Sequence, residues 1–492
     1  MSTSRFPTPS AALLPALFVL ALAPLQAATL ELKGLPLQME WSDLDGDGQL
    51  DLVALMIETR VEGTFDTTFE AGGLRGFYQD HTIKEKYLAT YRNTGQGFEK
   101  VDHMPLEKMA VLGFALEPHP RPRLALWTLP DLIYHDWQDA TWKPINRHAT
   151  PGFLYQQPIS GQQFPFWQST AQGPLWVVPD LTGIHFLDPD RQFSHSFWDY
   201  PQIDTPRDEG MSDNHRFSLP LPYFMDVDGD GRQEMVYQES KTLSALRLDD
   251  RNTVYEGMGE GLLADFTGDG LADLMVIADE TDVDGPKDLK KVKSQVHVFP
   301  ATAPLQFADT PRTDQWLPGF VINNDSDFMM PDPYLDVDND GLLDLAGISI
   351  KFSLWQVAKV ATLGRMSLKF LLFLSRQDEH GKFHTIPGSP FEMSWKINLR
   401  KLKLPEFAQM TGDFDGNGWR DILIVKNKRL EITPLSKAGF EYKKTWKHSL
   451  PRTFHDPDQV FGKDLNNNGQ DAFVVIKLEK NRTHLGVWEV QP

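Results

Sequence analysis

The chain has 492 residues, with 68 acidic against 48 basic side chains, a formal net charge of −20 and no cysteine. That balance excludes nucleic acid as the main partner, because phosphates need a basic surface. The missing cysteines exclude a disulfide framework, so the fold must be held by its core or by ions.

In chain order, the first element is a targeting segment. Arg5 precedes an apolar stretch from Ala11 to Leu25, followed by the small residues Ala27 and Ala28. This predicts a secretory signal peptide over residues 1–27, with cleavage after Ala27. No cysteine sits there to carry a lipid anchor, and no later segment is apolar enough to span a membrane. The expectation is a secreted or periplasmic protein. Loss of Arg5 with the signal makes the mature chain one unit more acidic.

Next comes TLELKG (Thr29–Gly34), a strand with no obvious neighbour, and then a loop that recurs along the chain. The copies are DLDGDGQLD from Asp43, DVDGDGRQE from Asp226, DFTGDGLAD from Asp265, DVDNDGLLD from Asp336 and DFDGNGWRD from Asp413. A worn sixth, DLNNNGQDA, starts at Asp464. Oxygen-bearing side chains at alternate positions of a tight turn suit Ca²⁺, which takes six to eight hard oxygen ligands at about 2.3–2.6 Å. A glycine at position 6 permits the sharp turn.

The candidate metal-ligating residues occupy positions 1, 3, 5, 7 and 9 of each copy. They are Asp43, Asp45, Asp47, Gln49 and Asp51; then Asp226, Asp228, Asp230, Arg232 and Glu234; then Asp265, Thr267, Asp269, Leu271 and Asp273. The fourth set is Asp336, Asp338, Asp340, Leu342 and Asp344, and the fifth is Asp413, Asp415, Asn417, Trp419 and Asp421. The sixth retains Asp464, Asn466 and Asn468, with a displaced Asp471 and with Ala472 at position 9. Five calcium sites and a weak sixth are expected, those richest in carboxylates binding tightest.

The loops are not EF-hands. Position 12, a glutamate there, is here Ala54, Tyr237, Val276, Gly347 or Ile424. Each loop is followed by a short run rich in β-branched residues, such as DLVALMI or DILIVK, which reads as a buried strand. Strand, calcium loop, strand resembles the FG-GAP/VCBS-type repeat, the calcium-loop blade of integrin-like β-propellers. The resemblance implies an all-β fold, a single β-propeller over residues 28–492.

Each blade is then a four-stranded meander. The first has strands at Leu52–Ile57, at Tyr87–Arg92 and from Phe98, with a glycine-rich turn between the last two. Two blades without loops follow: RLALWTLPDLIYHDW from Arg123 and PLWVVPDLTGIHFL from Pro174 share an LW-x-x-PDL core. With the five later loops the count is eight blades, seven being the alternative if one of these two is a decorated loop. The last blade has strands at Phe473–Leu478 and Leu485–Val490 and no fourth strand after them, so Thr29–Gly34 is expected to close the ring.

Three long connections, at residues 58–86, 279–294 and 351–368, fall between second and third strands. A meander places them on the face opposite the calcium loops, the candidate recognition face. Within the third, Phe352–Met366 has helical apolar spacing. The stretch from Trp127 to Phe224 is dense in aromatics and histidines. Exposed, they would suit stacking on sugar rings; the commoner use is wedging between blades.

No nucleophile elbow, Walker loop, zincin helix or dinucleotide fingerprint occurs. The expected function is a non-catalytic, calcium-stabilised scaffold that binds a protein or polysaccharide ligand at the cell envelope. The alternative is a glycan-active enzyme: some polysaccharide lyases resemble this chain in using eight-bladed calcium-loop propellers. The basic stretch Lys396–Lys403 could then face an acidic sugar.

Overall fold

A computed structural model describes residues 27–59, 83–107, 111–117, 122–128, 131–149, 167–170, 173–179, 183–188 and 194–199 of the first half. Beyond these it describes 223–239, 241–281, 288–321, 334–351, 365–398, 408–426, 428–479 and 481–490. The expected signal segment up to residue 26 and the helical spacing at 352–364 lie outside them.

The described residues form an all-β molecule. Eight sheets each contain four or more antiparallel strands. The first runs Leu35–Ser42, Asp51–Thr59, Ile83–Asn93, Phe98–Leu106, each strand pairing with the next. The second (Val111–Glu117 to Thr141–Ala149) and third (Trp167–Thr170 to Ser194–Asp199) repeat that order without an acidic loop. The fourth begins at Tyr223, the fifth at Leu262, the seventh at Ala408 and the eighth at Gln459.

The sixth sheet departs from the pattern. Phe320–Val321 and Tyr334–Leu335 both pair with Asp344–Lys351, so its first strand is in two pieces. Its outer strand is likewise split between Phe383–Thr385 and Phe391–Asn398. In the eighth sheet the outermost strand comes from the other end of the chain. Ala27–Lys33 lies antiparallel to Arg482–Trp488, from Ala27 opposite Trp488 to Lys33 opposite Arg482.

Why the second strand of each sheet is an unbroken apolar run is clear from the packing. Successive side chains leave a strand on opposite faces. Leu52, Ala54 and Met56 pack on the eighth sheet, among Val474, Ile476 and Leu485. Val53 and Leu55 pack the other way, on Phe114, Leu124 and Leu126 of the second sheet. A strand covered on both faces needs apolar residues at every position. The same arrangement joins sheets two and three, three and four, four and five, five and six, six and seven, and seven and eight.

Most of the aromatics singled out in the middle of the sequence serve these cores where the structure describes their side chains. Trp127, Trp142 and Trp176 are buried. Trp176 donates through Nε1 to the Tyr134 hydroxyl at 2.8 Å, and Trp127 and Trp176 rings lie 5.8 Å apart. They wedge between sheets, so their faces are not open to a sugar.

The long connections are shorter than the sequence suggests, because the strands run further into them. Strands reach Thr59 and resume at Ile83, reach Glu280 and resume at Lys293, and reach Lys351 and resume at Arg365. Charged residues that look like loop are paired across the strands: Glu58 meets Lys33 at 2.7 Å and Lys84 at 2.6 Å. Among the described residues no helix is long and apolar enough to cross a membrane.

Candidate metal centre

All six acidic loops connect the first strand of a sheet to its second, so they gather at one end of the sheets. They share one internal scaffold. The carboxylate at position 1 accepts backbone N–H bonds from inside its own turn: Asp43 from Gly46 (2.7 Å) and Gly48 (3.0 Å), Asp226 from Gly229 and Gly231 (both 2.7 Å). Asp265, Asp336, Asp413 and Asp464 do the same. The oxygen at position 5 accepts from the N–H at position 7, as in Asp47 to Gln49 (2.8 Å) and Asn468 to Gln470 (2.8 Å).

Two positions have positive φ. Position 6 is always glycine, as at Gly341 (φ 86°). Position 4 is glycine or asparagine, as at Gly229 (φ 77°) and Asn339 (φ 55°). These are the residues that enter the left-handed region at least cost.

The acid at position 9 does something the sequence did not disclose. Asp421 is fully buried; one of its oxygens accepts from the N–H of Phe414 (3.0 Å) and the other from Leu435 (2.9 Å). Asp344 holds Val337 (2.9 Å) and Gln377 (2.8 Å), and Asp51 holds Leu44 (3.2 Å) and Asn93 (2.8 Å). Asp273 holds Phe266 and Ala301, and Glu234 holds Val227. In four loops the position-9 acid therefore fastens position 2 to the end of the third strand or just past it; for Glu234 the bond is to position 2. Each oxygen of Asp421 and Asp344 accepts one such bond and keeps a further lone pair for an ion, whereas Asp273 Oδ2 accepts from both Phe266 and Thr267.

Carboxylates converge in four of the loops. Ligand atoms of Asp43, Asp45 and Asp47 lie within 4.8 Å of one another, as do those of Asp226, Asp228 and Asp230. The same holds for Asp336, Asp338 and Asp344, and for Asp413, Asp415 and Asp421. Burial pushes Asp51 up to about 6, Glu234 and Asp344 to about 7 and Asp421 to about 8. Neighbouring loop acids add to the rise. A cation among these groups would return them to the charged form.

The donor set fits a hard cation. At position 3, the Asp338 side chain is 4% exposed and its Oδ1 is buried with no hydrogen-bond partner. Asn466 Oδ1, at the same position of the sixth loop, is buried without a partner too. Buried oxygens of this kind are costly unless something accepts their lone pairs. Leu271, Leu342 and Trp419 at position 7 have no side-chain oxygen, so only their backbone carbonyls could contribute. The sixth loop has Ala472 in place of a position-9 acid, and the displaced Asp471 turns outward to accept from the Asp413 N–H at 2.8 Å.

Consecutive loops also touch. The N–H of Leu50 donates to Leu465 O, that of Arg420 to Val337 O and that of Asp471 to Asp413 O, each at 2.8 Å. Gln470 Nε2 reaches Phe414 O at 2.7 Å, and Gln377 Nε2 reaches Phe266 O. Asp228 bridges to Leu271. The six loops thus form one connected train from Asp226 round to Asp51.

No known family's sequence profile matches the chain, and no curated protein matches it. Solved structures do. A Photorhabdus luminescens Tc holotoxin pore aligns over 90% of this chain at 14% identity and TM-score 0.30, the chain spanning 18% of that protein's length. Saccharomyces cerevisiae Sqt1 aligns over 94% of this chain and 100% of its own at 9% identity and TM-score 0.37. A protein from Lactobacillus plantarum aligns over 72% of this chain and 86% of its own at 12% identity and TM-score 0.32. At these TM-scores the likeness carries no argument about what the chain does.

Proposed function

We propose that the chain is a single closed propeller of eight blades, stapled by calcium at its acidic loops and acting as a non-catalytic binding scaffold. Ring closure is supported by the succession of cores. Each sheet packs on the next, and the eighth packs on the first through Leu32, Leu485 and Met56. The pairing of Ala27–Lys33 with Arg482–Trp488 supports it as well, since an open ring would leave a bare strand edge there. The expected signal segment is in keeping with an exported protein whose calcium comes from outside the cell.

The observation that carries the metal reading is the buried, unpartnered Asp338 Oδ1 inside a loop where ligand atoms of Asp336, Asp338 and Asp344 converge. Asp336, Asp338, Asp340 and Asp344 would hold the ion there, and their counterparts in the loops from Asp43, Asp226, Asp265 and Asp413. Bound calcium supplies charge neutralisation and a cross-link between strands. A ligand that binds only the folded form adds about 2.7 kcal/mol per site at a hundredfold excess over its dissociation constant.

We assign the partner, a protein or a polysaccharide, to the opposite end, where the strands at Thr59, Glu280 and Lys351 lead into the three longest second-to-third-strand connections. Metal analysis of the purified protein, with thermal unfolding in chelator, Ca²⁺ and Mg²⁺, tests the metal reading. A large fall in Tm on chelation, reversed by Ca²⁺ and poorly by Mg²⁺, is expected, because Mg²⁺ demands a tight octahedron. An unchanged melting curve with no bound calcium refutes it. Turnover of a uronate polysaccharide to an unsaturated product would overturn the non-catalytic part.

A further inference from the structure

The register of the sheets exposes a correlation between the loops and one residue of the third strand. Position 10 of each loop pairs with a third-strand residue: Leu52 with Tyr91, Met235 with Leu246, Leu345 with Ser375. Elsewhere Leu274 pairs with Phe299, Ile422 with Thr433 and Phe473 with Trp488. The residue one step beyond that partner is Arg92, Arg247, Arg376, Pro300, Pro434 or Glu489 respectively.

The three arginines fall on the three loops with four carboxylates, and the two prolines on the two loops with three. Each arginine meets the loop acids directly. Arg376 pairs with Asp338 and, at 2.8 Å, with Asp340. Arg247 pairs with Asp228 at 3.2 Å and with Asp230. Arg92 Nε lies 3.3 Å from Asp45. Among the described residues, no lysine or arginine forms an ion pair with the acids of the Asp265 or Asp413 loops. Counting only the acids at positions 1, 3, 5 and 9 and this third-strand residue, four carboxylates with one guanidinium and three with none come to the same sum in all five loops; Arg232, inside the Asp226 loop, pairs with Asp249 instead, and Arg420, inside the Asp413 loop, lies outside that count.

We infer that Arg92, Arg247 and Arg376 are resident counter-cations that set the calcium affinity of their loops. They hold the four-acid loops folded without metal and bring them level with the three-acid loops. This rests on the calcium reading above and corrects the ranking by acid count alone: Asp43 and Asp336 should bind no tighter than Asp265 or Asp413. The inference names positioning residues, since a guanidinium cannot itself ligate a cation. Removing a unit positive charge beside the loop acids strengthens their pull on a cation, less after screening by salt. A tightening of about tenfold per relieved site is the conservative expectation.

The test combines R92Q, R247Q and R376Q in the full chain. Calcium titration by calorimetry should become biphasic, with three sites tightened about tenfold over the wild type. Thermal unfolding in chelator should fall while that in saturating calcium stays near the wild type. In a second variant, N417D creates a four-acid loop opposite Pro434; it should lower the Tm in chelator, and adding P434R should restore it. This arm stands even if the triple variant fails to fold. Equal losses of stability with and without calcium, at unchanged affinity, would make the arginines merely structural and overturn the inference. Weakened calcium binding in the triple variant would overturn it too. A wild-type chain that takes up no calcium would sink the metal reading itself, and this inference with it.

Discussion

The position-9 carboxylate has two separable duties, and Asp421 allows them to be pulled apart. It is fully buried, and its two oxygens hold the N–H groups of Phe414 and Leu435. Asp421→Ala leaves both donors buried and unsatisfied, at about 1–3 kcal/mol each, so the loss before any metal is considered is about 2–6 kcal/mol. For a chain of this length about 1 kcal/mol moves Tm by about 1 °C, so Tm in chelator should fall by about 2–6 °C. Asp421→Asn keeps one acceptor oxygen and should fall between. Asp415→Asn is the contrast. Burial and the neighbouring Asp413 push the Asp415 carboxyl upward, so its charge is no help to the metal-free fold. That variant should match the wild type in chelator and lose stability only in calcium. The assay is unfolding followed by tryptophan fluorescence under both conditions. If Asp421→Ala equals the wild type in chelator and differs only in calcium, position 9 is a ligand alone and the staple argument is wrong.

Leu32 is buried in the core between the eighth and first sheets, so Leu32→Ala should cost about 2–5 kcal/mol in denaturant titration. Removing residues 27–33 bares the Arg482–Trp488 edge, and light scattering should then detect concentration-dependent association. Gly34, at the turn out of that strand, has φ 92°, and a Cβ there would sit 2.3 Å from Ile57 O. Gly34→Ala should therefore lower stability by about 1–3 kcal/mol or more with calcium binding unchanged. Ala472→Asp returns an acid to the buried position 9 of the sixth loop, beside the N–H of Leu465; it should raise the calcium stoichiometry by one in metal analysis.

The loops and the sheets they introduce were legible in the sequence because both signals are local. An oxygen at every second position, with glycine at the sixth, specifies a tight acidic turn without reference to anything distant. The apolar run after Asp51 or Asp421 reports burial on both faces of one strand. Even the two loop-free sheets betray themselves through the shared LW-x-x-PDL core. What was not legible depends on register. Position 9 looks like one more ligand until the third strand is laid beside it, when the N–H of Asn93, Gln377 or Leu435 arrives at its carboxylate. The arginine-or-proline rule was present all along, as YRN, LRL and SRQ against FPA and TPL, yet it means nothing before those triplets are aligned. The strand extensions around Glu58 were hidden because charged residues lower strand propensity, and only the cross-strand lysines explain them.

The connections between loops imply that the proposed calcium sites would not act alone. In each of the five intact loops the peptide N–H at position 2 is held by the loop's own position-9 carboxylate. In four of the six loops, including the worn one, the position-2 carbonyl accepts from the neighbouring unit: Leu465 O from Leu50, Val337 O from Arg420, Phe414 O from Gln470, Phe266 O from Gln377. Phe266, Val337 and Phe414 are thus each held through the N–H by their own site and through the carbonyl by the next. Anything that draws one of those position-9 carboxylates toward an ion moves a residue to which the adjacent unit is bonded. Nearest-neighbour coupling of this kind makes stability a sum of unit and interface terms rather than of independent sites. It also gives the worn sixth loop a purpose that does not depend on its own ion. Asp464, Asn468 and Gly469 keep the turn folded, Asp471 and Gln470 reach back to the seventh sheet's loop, and Leu465 reaches forward to the first. The loop can lose its ninth ligand and still carry the train across the seam where the two ends of the chain meet.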